Sequence, residues 1–462
     1  MDQVNPLHNT CFRKLFAAQV IALIGTGLST VALTLLAYDL VGGNAASVLG
    51  TALAIKMVAY VLFAPIVGGL AHRILRKPFL IAMDMIRAGI ILAMPFVTEV
   101  WQIYLLIFLL NLFSAGFKPV FAATIPDILP EERQYTRALS MSRLAYDLEN
   151  LLSPTFAALA LLFISYTGLF ITNAAAFLIS ASLIFATVLP PIQEVWRPGA
   201  MWDEISFGVR SYLKTPRLRG LLVLYMGVAC ASAMIIVNTV TYIREYLGGS
   251  ESDVAMALAA AGGGSMIAAI SLPKVLDRVP DRPVMLLGAV IMAAGLGLIS
   301  TGPSLSGVLP IWFLVGLGWS LAQTPAGRVV NRSSSPADRS SYFSAQFALS
   351  HACWLIFYPV AGQFGTRFGV ETTALLLGAS ILVFTVVAAT LWPKYDEAVL
   401  VHAHADKFHE HKHTHGLHHD HDHEGWEGPE PHSHPHRHQP VRHAHAFVID
   451  DHHAVWPQSP SA

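Results

Sequence analysis

The sequence predicts an all-α integral membrane protein, with twelve transmembrane helices in two six-helix pseudo-repeats and a disordered, histidine-rich tail. Three observations predict it. Apolar residues make up 54% of the chain and charged residues 13%, with a mean hydropathy of +0.53. A soluble domain carries about 25% charged residues. Apolar runs such as LLIFLLNLFSAGF recur, in segments near the roughly 20 residues that cross a bilayer as a helix. Finally, 18 of the 21 histidines lie between His402 and His453, in a stretch too polar to form a core.

The spans are placed at 15–39, 46–71, 79–98, 101–124, 140–165, 168–190, 218–243, 253–274, 283–301, 306–325, 341–364 and 371–393. Basic residues fall in alternate loops. Arg13 and Lys14 precede the first span, Arg73, Arg76 and Lys77 follow the second, and Arg133 and Arg137 follow the fourth. Arg197, Arg210, Lys214 and Arg217 precede the seventh with Arg219 at its start, and the alternation continues through Lys274, Arg278, Arg282, Arg328, Arg332 and Arg339. The positive-inside rule then puts both termini, and the tail, in the cytoplasm. No cleavable signal peptide is expected, since the first apolar segment is long and no small-residue cleavage site follows it.

The halves repeat each other. LAHRILRKPFLI (70–81) aligns with VLDRVPDRPVML (275–286), so that Arg73 falls on Arg278 and Pro78 on Pro283, both at an offset of 205. LPEER (129–133) aligns with SPADR (335–339) at 206, and Pro154 with Pro359 at 205. The expected domains are an N-terminal bundle over 1–190, a cytoplasmic linker over 191–217, a C-terminal bundle over 218–393 and the tail over 394–462.

GGLAHRILRK at 68–77 resembles the loop that the major facilitator superfamily carries between its second and third helices, a Gly-x-Leu-Ala-Asp-Arg-x-Gly-Arg-Lys pattern. His72 stands where that pattern has aspartate and Leu75 where it has the second glycine, whereas the second-half copy keeps Asp277 and Arg278. The resemblance implies a two-bundle transporter with a substrate site near the membrane midplane. It also implies a gate motif of Gly68, His72, Arg73, Arg76, Asp277 and Arg278. Joined to a histidine-rich tail, the chain resembles the bacterial nickel-resistance exporters of this superfamily. What that implies is a monomer in the bacterial inner membrane that exports nickel, or alternatively cobalt or ferrous iron, in exchange for protons and so confers metal resistance.

The tail supplies metal ligands. Candidates are His402, His404, His409, His411, His413, His415, His418, His419, His421, His423, His432, His434, His436 and His438. Imidazole suits nickel, copper, zinc and ferrous iron, whereas magnesium and calcium prefer oxygen. His409, His411, His413 and His415 alternate, which aligns them on one side of an extended chain. Spacing by four, from His411 through His415 and His419 to His423, gives one face of a helix, though Gly416 disfavours it. Eleven acids against five bases over 394–462 give a net charge of −6, which attracts dications.

Ionisable residues at bilayer depth are costly and point to function. The fifth span opens SMSRLAYDLENLLSP, where Asp147 and Asn150 share a face and Glu149 lies roughly 160° around the helix. These residues, with His351 in the eleventh span, are the candidate substrate and proton-coupling site. For Asp147 the competing reading is an i,i+4 salt bridge with Arg143. Asp84 and Arg87 read as a structural pair, Lys56 and Lys118 carry no assigned role, and the stripe Met226, Cys230, Met234 reads as packing.

No P-loop pattern and no phosphorylation stretch of the DKTGT kind occurs, so an ion gradient is the expected energy source. No enzymatic activity and no resident cofactor are expected. The partners expected are the metal ion, protons and the lipid bilayer, without nucleic acid. Two other readings compete. One is proton-coupled efflux of a drug or siderophore-like organic molecule with a metal-responsive tail. The other is a membrane-anchored metal sensor that transports nothing.

Overall fold

Asn9 starts the first long helix: its side-chain oxygen accepts the backbone N–H groups of Cys11 and Phe12 at 2.9 and 3.1 Å, satisfying donors that a helix start leaves open. The computed structural model describes residues 5–41, 45–190, 201–394, 399–403, 407–413, 432–438, 442–450, 453 and 456–457. Six helices form the first half: α1 (Thr10–Val41), α2 (Ala45–Leu70), α3 (Arg76–Ala93), α4 (Val100–Ile128), α5 (Glu132–Leu161) and α6 (Tyr166–Phe185). The shorter α7 (Met201–Lys214) lies within the expected linker.

The second half opens with α8 (Pro216–Ala233), which continues through a π-helical turn, the one-turn α9 (Thr239–Thr241) and a second π turn. It goes on through α10 (Glu251–Leu276), α11 (Asp281–Ile299), α12 (Leu305–Gln323), α13 (Ala326–Arg332), α14 (Arg339–Phe368) and α15 (Val370–Leu391). Ten helical stretches among the described residues are long and apolar enough to cross a membrane. The helices α5 and α14 have 30 residues each and occupy the expected fifth and eleventh spans, but their first turns are polar.

Each half has its own apolar core. One gathers Leu218, Val228, Met292, Trp312 and Ile381. The other half is filled by two clusters, around Leu28, Ile91 and Phe170 and around Leu15, Phe121 and Tyr135. Cys230 and Met234 are fully buried in the second-half core, as packing predicts. A smaller cluster of Tyr60, Ala64, Ala115 and Ala348 joins the halves where α2, α4 and α14 meet. Leu62, Phe163, Ile270 and Val386 lie outward and exposed, which suits a lipid-facing surface.

The halves approach most closely where α2 ends against α14. A side-chain carbon on Gly68 would lie 2.3 Å from the Ser344 Cβ, so only glycine fits. There the Ser341 hydroxyl donates to the Gly68 carbonyl at 2.8 Å.

The tail departs from expectation. Composition predicts no regular structure, yet β1 (Val399–Ala403) pairs with β4 (Arg442–Ala446) and β2 (Lys407–His413) with β3 (His432–His438), both antiparallel. The register sets His409 opposite His436, His411 opposite His434 and His413 opposite His432. Alternating His-x-His segments suit an extended backbone, and cross-strand pairing satisfies its N–H and C=O groups.

Candidate functional site

We call the end carrying the loops at 71–75, 129–131, 277–280 and 333–338 the basic end. At about 1.5 Å per residue, positions ten to twelve residues inward along a helix lie about 15–18 Å from that end. Tyr60, Lys118, Arg143 and His351 fall in this layer, and Asp147 and Glu149 lie four and six residues further along α5 than Arg143.

His351 sits in an aromatic enclosure. Its ring centroid is 4.1 Å from Phe347, 4.8 Å from Tyr60 and 4.8 Å from Trp354. Its Nδ1 lies 2.7 Å from the Phe347 carbonyl oxygen. A carbonyl only accepts, so Nδ1 carries a proton, and in the neutral ring Nε2 keeps its lone pair. Trp354 is held by donating its indole N–H to Ser232 at 2.8 Å. Tyr60, facing the imidazole edge from the other half, accepts a hydrogen bond from Lys118 Nζ at 3.1 Å. Lys56 Nζ stands 5.8 Å from the Tyr60 ring centroid. The charges of both lysines act on Glu149 and on His351. Among the described residues Glu149 makes no ion pair within 4.0 Å, and we call the region where both lysine charges reach Glu149 and His351 the chamber.

Asp147 is placed differently. Arg143 Nη2 is 3.0 Å from its carboxylate and Arg143 Nε donates to it at 3.2 Å. The Ser265 hydroxyl donates to it at 2.6 Å. The same guanidinium donates to Ser265 at 2.8 Å and to Gln323 at 2.6 Å, both in the other half, and lies 5.1 Å over the Trp319 ring. The structure therefore ties Asp147 into a bond between the halves and leaves Glu149 and His351 in the chamber. Asn150 lies on α5 with its side chain outside the described residues.

The gate motif divides similarly. Arg73 pairs with the buried Glu204 of α7 at 2.6 Å, Arg76 with Asp127 at 2.7 Å, and Asp277 with Arg133 of the other half at 3.3 Å. Arg278 is exposed. His72 lies in a 3-10 turn, Ala71–Arg73, with its side chain outside the described residues. Asp84 and Arg87 form the expected pair. Ser180 donates to Asp84 at 2.7 Å, and the Phe117 and Phe177 rings flank the guanidinium at 4.1 and 4.5 Å.

Of the tail ligands, His402 lies in β1, His409, His411 and His413 in β2, and His432, His434, His436 and His438 in β3. His404, His415, His418, His419, His421 and His423 lie outside the described residues.

Sequence reasoning missed a second set of basic-end residues. Arg339 bonds to Asp127 across the halves. Arg328 pairs with Glu132 of the other half at 2.5 Å and with Asp281 at 3.1 Å, and Asp281 lies 3.7 Å from Arg332. A signal for part of it was present. At the repeat offset of 205, Arg76 falls on Asp281 and Asp127 on Arg332, one ion pair with its charges reversed.

Residues 15–237 and 221–426 match the family model of the Major Facilitator Superfamily. The chain belongs to that superfamily. It is 27% identical over 269 residues to the uncharacterized MFS-type transporter YfiS of Bacillus subtilis, covering 55% of this chain and 62% of that protein. Over 153 residues it is 28% identical to Macrolide efflux protein A of Streptococcus pyogenes, covering 32% of this chain and 37% of that one. The chain thus spans about six tenths of the first relative's length and little over a third of the second's. Its fold is similar to the human organic anion transporter MFSD10, with a TM-score of 0.70 at 13% identity over 82% of this chain and 99% of that one. It is likewise similar to a bacterial homologue of the iron transporter ferroportin in its outward-facing state, with a TM-score of 0.68 at 12% identity over 82% and 98%. At such identities these likenesses concern the fold alone. Superfamily membership and the membrane-length helices make this a multi-pass membrane protein.

Proposed function

We propose that the chain is a secondary transporter that exports a divalent transition metal from the cytoplasm in exchange for protons. Nickel is the first candidate, with cobalt and ferrous iron next. In this reading α5 and α14 complete twelve spans, the basic end is cytoplasmic, and both termini lie there in a bacterial inner membrane. The observation that carries the reading is the tail: 18 histidines joined to the basic end of a superfamily transporter. The tail ligands concentrate metal there. Metal then enters the chamber, where the Nε2 lone pair of His351 and the carboxylate of Glu149 are the available ligands. Loading displaces the proton of Glu149, and rocking of the halves releases metal on the far side while Glu149 is reprotonated. Asp147 serves the closure of the halves through Arg143.

One observation favours a second reading. Lys118 and Lys56 face the same chamber, and ammonium groups repel a bare dication. Together with the aromatic ring of Tyr60 and the likeness to a macrolide efflux protein, they suit an organic substrate, with the tail left to regulation.

Inverted vesicles carrying the full-length protein separate the two. With an inside-acid gradient, one of nickel, cobalt, zinc or ferrous iron is expected to accumulate, and collapse of the gradient to stop it. Glu149→Gln and His351→Ala are each expected to reduce that uptake by about 10–100-fold, as loss of a metal-site group does. Gradient-dependent uptake of an organic dye without uptake of any metal would replace the first reading with the second.

A further inference from the structure

After the strands, the chain returns to the bundle. Phe447 and Ile449 are each 2% exposed. The Phe447 carbonyl accepts from Arg217 at the start of α8 at 3.3 Å, and the Ile449 carbonyl accepts from the Tyr342 hydroxyl of α14 at 2.6 Å. Trp456 covers the Arg217 guanidinium at 5.0 Å and packs on Phe447 at 5.1 Å. Asp450 closes the turn by accepting both the backbone N–H and the Nδ1–H of His453, at 2.7 and 2.8 Å. The His453 ring packs on Phe447 at 4.7 Å and is 7% exposed.

This docked segment meets the elements that close the basic end. Tyr342 is one residue from Ser341, which donates to Gly68 of the other half. Its ring packs edge-on against Phe207 of α7 at 6.4 Å. Across α7, Gly208 lies against the Ser341 carbonyl, and Glu204 holds Arg73 of the first half. Bracing Tyr342 therefore braces the two elements that grip α2 and its loop.

We infer that the docked residues Phe447, Ile449, Asp450, His453 and Trp456 form a latch that favours the state closed at the basic end, and that metal capture by the tail releases it. The direction follows from competition. In the docked form Asp450 and His453, both metal-ligand types, are bonded to each other, and the His453 ring is shielded by Phe447 while the Asp450 side chain stays 23% exposed. Metal reaches the buried His453 only when the segment leaves its seat, and there it can join Asp450 and the histidines of β4, His443 and His445, immediately upstream. A ligand that binds only the released form shifts the population toward it. Metal arriving at the tail thus opens the end at which the chamber loads. The metal dependence rests on the reading of the tail as a metal binder; the latch does not.

The test is the labelling rate of Ser344→Cys in full-length protein by a water-soluble maleimide applied at the basic end. Ser344 is fully buried under the closed gate, and the parent chain gives the background from Cys11, Cys230 and Cys353. Without metal, labelling is expected to be slow. Trp456→Ala, or truncation after Ala446, is expected to raise it about tenfold, and Tyr342→Phe, which deletes one hydroxyl, to raise it less. Nickel is expected to accelerate labelling of the full chain and to add nothing after truncation. Equal rates with and without the segment overturn the latch, and slower labelling with nickel overturns its release by metal. If nickel accelerates labelling while vesicles move no metal, the latch stands and the export reading falls. If vesicles export nickel while nickel leaves labelling unchanged, the export reading stands and release of the latch by metal falls.

Discussion

Arg143 holds more of the closed state than any other residue in the deeper layer, because it bonds Asp147 on its own helix and Ser265 and Gln323 across the halves. Both members of its ion pair are largely buried, at 14% and 6% side-chain exposure. Removing one partner of a buried pair costs about 3–5 kcal/mol, since a desolvated charge is left behind. Arg143→Ala is therefore expected to lower the thermal unfolding midpoint in detergent and to abolish transport. Adding Asp147→Asn is expected to recover much of the stability by removing the stranded carboxylate. An equally unstable double variant would show that the two side chains act independently. The pair itself was legible in SRLAYD from its i,i+4 spacing. Ser265 and Gln323 were not, because a lone polar residue on an apolar helix has no periodic signal and its partner is more than a hundred residues away.

At the scale of helices, the basic end is built from one ion pair used twice with opposite sign: Arg76 with Asp127 between α3 and α4, and Asp281 with Arg332 between α11 and α13. The reversal is forced by third partners. Arg339 from α14 also binds Asp127, and Arg328 also binds Asp281, so each acid serves two arginines. Exchanging charges within the first half by Arg76→Asp with Asp127→Arg would set an arginine against Arg339. That double variant is expected to stay inactive in vesicle uptake although the local pair is preserved. Adding Arg339→Asp is expected to restore a measurable part of the activity. Full activity in the double variant would mean that the contact from α14 does not matter. The repeat that exposes this correspondence was legible from Arg73, Pro78 and Pro154 and their counterparts. The apolar segments themselves placed spans over 140–165 and 341–364, where α5 and α14 lie, although the polar first turns of these helices blunt a hydropathy signal. The tail strands were hidden, because composition speaks to the absence of a core and not to pairing between two histidine-alternating segments.

For the whole molecule, the polar contacts described between the halves lie at the basic end or in the layer of Arg143, so their burial ranks how much each contributes to closure. Arg133 and Asp277 are 65% and 40% exposed, and such pairs contribute about 0–1 kcal/mol after screening and side-chain entropy. Arg339 and Asp127 are 11% and 15% exposed, where truncating one partner of a hydrogen-bonded charge pair costs about 2–5 kcal/mol. Arg133→Ala is therefore expected to change the closed-to-open ratio by no more than about fivefold, and Arg339→Ala by about thirtyfold or more. Spin labels on Arg137→Cys and Arg278→Cys, exposed positions on opposite halves, read that ratio from the distance between them. A long-distance population that appears with Arg339→Ala and not with Arg133→Ala supports burial as the determinant. Equal shifts from the two substitutions would mean that net charge at the basic end, rather than the buried contact, sets how tightly the halves close.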